Sequence, residues 1–221
     1  MGRVAPPSEP LSSSPGEAER DRAERDRAEL IRRIHDSPTL AVVAVTGGAA
    51  CALSDLLNVP GASRTVLELR VPYAPTALQD LLGFAPAQAT SAATAAAMAA
   101  ACRRRALTLT GRPGGPGGGI ATGEAIVGVA CTAALASDRP KRGEHRAHVA
   151  LCDGDRTRVW TLALDKGART RAEEDRVAGD VVLGALTEAC GLPAHWPSLG
   201  PGDRLTEEQR PTGSPDLEDS A

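Results

Sequence analysis

Residues 39–48 read Thr39-Leu-Ala-Val-Val-Ala-Val-Thr46-Gly47-Gly48. Eight β-branched or apolar residues without a charged alternate suit a strand buried on both faces, as in a parallel sheet covered by helices on either side. Thr46-Gly47-Gly48 ends the run. From Ala49 the apolar residues return at helical spacing: Ala49, Cys51, Ala52, Leu53, Leu56 and Leu57. A strand, a glycine turn and a helix in direct succession are the opening of an α/β domain.

Working outward, the turn Asn58-Val-Pro-Gly-Ala-Ser63 leads to a second strand over 65–71. A short helix over 75–82 opens after Ala74 and stops at Gly83, and an Ala-rich helix over 90–107 ends in Arg103-Arg104-Arg105, where cations suit the negative end of the dipole. Ala125 to Cys131 reads as another buried strand. Glu144 to Cys152 and Arg156 to Lys166 read as strands joined by Asp153-Gly154-Asp155, a turn of the Asp-Gly kind that favours an antiparallel hairpin. Arg171 to Cys190 predicts an amphipathic helix that Gly191 and Pro193 end. Residues 37–191 are therefore expected to form a three-layer α/β/α domain with a mixed, mostly parallel sheet of about five strands and one antiparallel hairpin.

The flanks differ in composition. Residues 1–13 are rich in Pro and Ser and are expected to be disordered. Ser14, Pro15 and Glu17 have the spacing of a helix start, and the repeat Glu19-Arg-Asp-Arg-Ala, Glu24-Arg-Asp-Arg-Ala continues a charged helix over 14–36. Arg20/Glu24, Asp21/Arg25 and Arg25/Glu29 are spaced for i,i+4 ion pairs, while Leu30, Ile31 and Ile34 dock the last turn on the domain. Residues 111–119, Gly-Arg-Pro-Gly-Gly-Pro-Gly-Gly-Gly, have the composition of a flexible loop, and residues 192–221, rich in Pro, Gly and acidic side chains, that of a disordered tail.

Charge and composition narrow the partners. With 25 Lys+Arg against 28 Asp+Glu, the chain has no positive excess to drive counterion release from a phosphate backbone, so no nucleic-acid partner is expected. The apolar runs are far short of the ~20 residues that span a bilayer, and no basic region followed by an apolar stretch opens the chain. No membrane partner is expected, and the location is read as cytoplasmic. Cys51, Cys102, Cys131, Cys152 and Cys190 are odd in number and widely spaced, which suits reduced thiols. No cofactor is implied, and a homo-oligomer is allowed.

Chemistry is sought beyond the carboxyl ends of the strands, where ligands lie in open α/β sheets. Thr46, Gly47 and Gly48 open a helix whose first free N–H groups and dipole suit an anion, and Gly47→Val is expected to remove binding with little loss of fold. The other polar loop, Ser137 to Arg146, brings Lys141, Arg142 and His145 as ligand-binding candidates. His145 and His148 are three apart in a strand, point to opposite faces and cannot share a metal, so no metal site is expected. Cys131 and Thr132 at a strand end are candidates for nucleophilic chemistry, with buried cysteine as the plainer alternative. Tyr73, the only tyrosine, follows a strand end, where a core tyrosine and a ligand-facing phenol are both open.

Thr46-Gly47-Gly48, Asn58-Val59-Pro60-Gly61-Ala62-Ser63, Val71-Pro72-Tyr73 and Leu82-Gly83 resemble the CinA C-terminal family, the nicotinamide-nucleotide amidases, with its pattern E-S-C-T-G-G, V-P-G-S-S, Y-S-N-E-A-K, L-G-V. The likeness spans about residues 30 to 190, with two residues apparently inserted after Gly48, and Lys141 to Gly143 is similar to the family's K-P-V-G. A divergent branch looks closer still, one that in some plant proteins resembles the N-terminal half of a chain with a cytidylyltransferase-like domain; no H-x-G-H is found here.

This resemblance implies the family's fold, a pyridine nucleotide such as nicotinamide mononucleotide as ligand, and hydrolysis of its carboxamide to a carboxylate and ammonia. The family's serine falls on Ala44, its glutamate on Val43 and its lysine on Leu78; of the Ser/Tyr/Lys set the resemblance implies, Tyr73 is retained. Either Thr46, Cys131 or Thr132 acts with Lys141 or His145 as base, or a nucleotide is bound without turnover. The alternative is a non-catalytic regulatory or scaffolding protein that holds a partner through the charged helix and the tail.

Overall fold

The computed structural model describes residues 15–111, 125–138, 143–154 and 156–211. Its elements run α1 (Pro15–His35), β1 (Thr39–Thr46), α2 (Ala50–Asn58), a single 3-10 turn, β2 (Val66–Arg70), α3 (Pro75–Leu82), α4 (Ala92–Thr110), β3 (Ala125–Ala134), β4 (His145–Cys152), β5 (Arg156–Leu164), α5 (Arg171–Ala189) and β6 (Arg204–Pro211). The sheet order is β2-β1-β3-β4-β5-β6. β2, β1 and β3 are parallel, and β4, β5 and β6 follow as an antiparallel meander.

Because alternate residues of a strand face opposite sides, the sheet carries two cores. Ala41, Val43 and Val45 of β1, with Cys131 of β3 and Trp160 of β5, pack under α1, α2 and α5. Val42 and Ala44, with Ala130 and Ala150, pack under α3 and α4. The domain is thus a three-layer α/β/α sandwich with a mixed sheet, as the strand at 39–46 implied. With few aromatics, the core depends on close approach of small residues. A methyl group on Gly128 of β3 would lie 2.0 Å from the Ala99 carbonyl oxygen and 2.3 Å from the Arg103 amide nitrogen of α4, so this glycine lets helix backbone rest on strand backbone.

On α1, Ile31 and Ile34 are buried, and Arg27 joins Asp55 of α2 (2.7 Å) to Asp180 of α5. Residues 18–26 are exposed. Among the described residues the i,i+4 ion pair on this helix is Arg22–Asp26, in place of the expected Arg20/Glu24, Asp21/Arg25 and Arg25/Glu29, alongside Arg32–Glu29 at i,i+3. Helix α5 opens with a capping box between Thr170 and Glu173. Residues 1–14, the glycine loop from 112, and 212–221 lie outside the described residues.

The expectation of disorder across 192–221 is corrected over its first part. β6 adds a sixth strand beside β5, and Trp196 packs on Trp160 with ring centroids 5.2 Å apart. The charged composition that reads as a tail is that of an edge strand, where charges deter further pairing. Its start is fixed by Asp203, whose carboxylate accepts from Arg169 (2.9 and 2.6 Å), the Asp165 amide (2.9 Å) and the Gly200 amide (2.7 Å). The Arg169 guanidinium holds this carboxyl down to about 2.

Asp203→Ala should cost about 2–3 kcal/mol in urea unfolding and speed amide exchange over 205–210, because Arg169 and two backbone donors lose their acceptor. Since the folded pKa is depressed from 3.8, this stabilisation is present above about pH 4 and is lost as pH falls through about 2. Unchanged exchange in β6 would show that the clasp does not hold the strand.

Candidate ligand-binding site

The carboxyl ends of β1 and β3 lie side by side, with Thr46 registered to Thr132. The two faces of the sheet differ here. On the α5 face the polar groups satisfy one another. Gly47 takes φ 75° and Ala49 φ 63°, a turn that enters α2 without a side-chain cap. The cap comes from α5 instead: Asp175 accepts from the amides of Ala50 (3.2 Å) and Cys51 (3.1 Å). These two N–H groups, expected to be free for a ligand anion, are already engaged by an internal carboxylate at the positive end of the helix dipole. Arg171 donates to the carbonyls of Gly47 and Ala136, both at 2.9 Å.

His145 belongs to the same closed network. Its Nδ1 lies 2.6 Å from Oε1 of the fully buried Glu174, whose Oε2 accepts from the Ala136 amide at 2.7 Å. The pair ties the start of β4 and the exit of β3 to α5. Cys131 lies on this face with no exposed surface, and burial pushes its thiol far above the ordinary range, opposite to what a nucleophile at neutral pH requires. Lys141 and Arg142 lie outside the described residues.

The α4 face is different. Register carries one row across five strands: Thr46, Thr132, His148, Thr161 and Thr206. The next row outward holds Ala134, Arg146, Ala163 and Arg204. Thr132 Oγ1 donates to the Ala89 carbonyl (2.6 Å) and Arg146 Nη2 to the Thr90 carbonyl (3.4 Å), which brings the residues before the α4 N-cap, Ser91, over this row. One step inward lies Ala44, fully buried, in one apolar cluster with Leu78 of α3. Tyr73, in the segment leaving β2, is 70% exposed, so its phenol is not a core group.

Of the α4-face row, sequence reasoning singled out Thr46 and Thr132; it counted Arg146 in the cationic cluster with Lys141 and Arg142 and did not pair it with His148. The signal was available in the alternation of a strand: the rule that separates His145 from His148 puts residues 146 and 148 on one side. The engagement of Asp175 by α2 could not be read, because the residues are 124 and 125 positions apart in the chain. Among the described residues no three His, Cys, Asp or Glu side chains are grouped to hold a metal, and no helix is long and apolar enough to cross a membrane.

The fold is similar to that of solved CinA superfamily proteins. A competence/damage inducible protein, CihA, from Agrobacterium tumefaciens aligns with TM-score 0.54 at 20% identity, covering 74% of this chain and 95% of that one. A CinA superfamily protein from Escherichia coli aligns with TM-score 0.53 at 14% identity, covering 75% and 88%. One from Enterobacter cloacae gives 0.52 at 14%, covering 86% and 98%. At these identities the likeness is one of fold. No protein-family model and no curated protein matches the sequence.

Proposed function

We propose that the chain is a CinA-like domain that binds a pyridine or related nucleotide at the carboxyl ends of β1 and β3, and that it has lost amide hydrolysis. The observation that carries the reading is the state of Ala44 and Leu78. Where the resemblance implies a serine and a lysine, two buried apolar side chains belong to one cluster, with Ala44 one step inward of Thr46 along β1. Neither can attack a carboxamide or accept a proton. The remaining nucleophile candidates are weak: Cys131 is sealed in the opposite core, and Thr132 is 1% exposed, with its hydroxyl donating to a backbone carbonyl. Polar rows, small side chains and a helix start above them suit binding without turnover.

Thermal unfolding with nicotinamide mononucleotide, its acid form, ATP and CTP tests the binding half. The CTP arm follows from the resemblance to the cytidylyltransferase-linked branch. A ligand at 100 times its dissociation constant adds about 2.7 kcal/mol, or about 5–10 °C for a domain of this size. The pyridine nucleotides are expected to give the largest shift. No shift with any of the four at millimolar concentration would contradict the reading.

A second reading is favoured by one feature, the exposure of residues 18–26 of α1. A helix polar on all sides that leaves the domain surface suits a scaffold for a partner of mixed charge. Unchanged ligand shifts after truncation to residue 27 separate the helix from the crevice.

A further inference from the structure

We propose that Arg146 and His148 form the seat for the phosphate group of a small-molecule ligand on the α4 face. Six buried side-chain nitrogens have no partner among the described residues: Arg27 Nη2, His35 Nδ1, Arg103 Nε, Arg146 Nε, His148 Nε2 and Arg158 Nε. Four of them are scattered. Arg146 and His148 are alternate residues of β4, so their unpartnered atoms lie on one face of the sheet. Buried polar groups are nearly always satisfied, so two neighbouring exceptions point to a partner that is not protein.

The surroundings select an anion. Arg146 is half-buried, makes one long bond to the Thr90 carbonyl, and has no carboxylate at ion-pair distance among the described residues. The residue after that carbonyl is the N-cap of α4, so the positive end of a 19-residue helix dipole meets a guanidinium. An anion between them relieves both. His148 is 7% exposed, and its Nδ1 lies 2.9 Å from the Thr161 hydroxyl; when that hydroxyl donates, the imidazole proton stands on Nε2, free to donate. The cross-strand neighbours of Arg146 are the small side chains of Ala134 and Ala163. Burial, with Arg146 and with Arg210 of β6, holds His148 neutral, down to about 4, against the opposing pull of Glu208 on β6. Thr46 stands two strands from His148, about 10 Å at ordinary strand spacing, which a nucleotide can bridge.

Only the choice of probe rests on the nucleotide reading. Affinities of nicotinamide mononucleotide, nicotinamide riboside and inorganic pyrophosphate are to be measured by calorimetry on wild type, Arg146→Met and Arg146→Lys. The mononucleotide should bind about 10- to 100-fold tighter than the riboside in wild type, the scale of a charge-assisted hydrogen bond. Arg146→Met should erase that difference and Arg146→Lys restore part of it. Pyrophosphate binding that depends on Arg146 without mononucleotide binding would support the seat and refute the nucleotide reading. Mononucleotide binding indifferent to Arg146, or no binding by either phosphorylated probe, would overturn the seat. A readout on wild type covers poor folding of the variants: bound phosphate should raise the ionisation of His148, followed by imidazole NMR, and an unmoved titration under saturating mononucleotide or pyrophosphate overturns the proposal.

Discussion

Gly47→Val is expected to abolish cooperative folding rather than to remove a ligand contact. At φ 75° a β-branched residue is strained, and a methyl group there would lie 2.0 Å from the Ala133 carbonyl oxygen. That oxygen belongs to β3 within the sheet and cannot yield as the tip of a flexible side chain can. Backbone strain and a backbone clash together place the cost at about 4 kcal/mol or more, a large share of the stability of an ordinary domain. Gly47→Ala meets the same oxygen and should fall close behind. Far-UV circular dichroism with urea unfolding reads the outcome, and a transition within about 1 kcal/mol of wild type would show that the turn is free to move. The glycine that looks like a ligand cradle in the sequence is first a packing residue, which corrects the expectation that Gly47→Val would spare the fold.

That correction marks where sequence reading reaches its limit. The strand at Thr39–Thr46, the hairpin around Gly154, the start of α3 and the end of α5 were legible because each is decided by neighbours in the chain: an unbroken apolar run, an Asp-Gly turn, Pro75 at a helix start, Gly191 just past a helix end. β6 was missed because Arg204-Leu-Thr-Glu-Glu-Gln-Arg210 is charged on both faces, and its place depends on Asp203 meeting Arg169 34 residues away. The candidate site was legible in position, since the ends of β1 and β3 do meet, but not in facing. His145 reads as a cation near a ligand, and the fold turns it to Glu174 on α5. Arg146 and His148 read as ordinary members of a polar loop and strand, and only the register of five strands sets them in a row with Thr46 and Thr132.

The second large effect is on the reaction. A positioned general base contributes about 10²- to 10⁴-fold, and loss of the nucleophile removes a covalent route as well. With Ala44 and Leu78 buried in an apolar cluster, both are gone from the places that the resemblance implies. Restoring them is a test of position with a cost in stability, because a lysine at residue 78, where leucine is 4% exposed, has its ammonium pressed into the core. Ala44→Ser with Leu78→Lys should therefore lower the melting temperature.

Ammonia release from nicotinamide mononucleotide, followed on the wild-type protein in the same preparation whose binding has been titrated, tests the central claim most directly. The account predicts saturable binding with ammonia production at least 10²-fold below that of an active CinA-family amidase under the same conditions. Turnover at a rate comparable with that enzyme, retained in Cys131→Ala and lost in Thr132→Val, would contradict it and make Thr132 the residue that attacks.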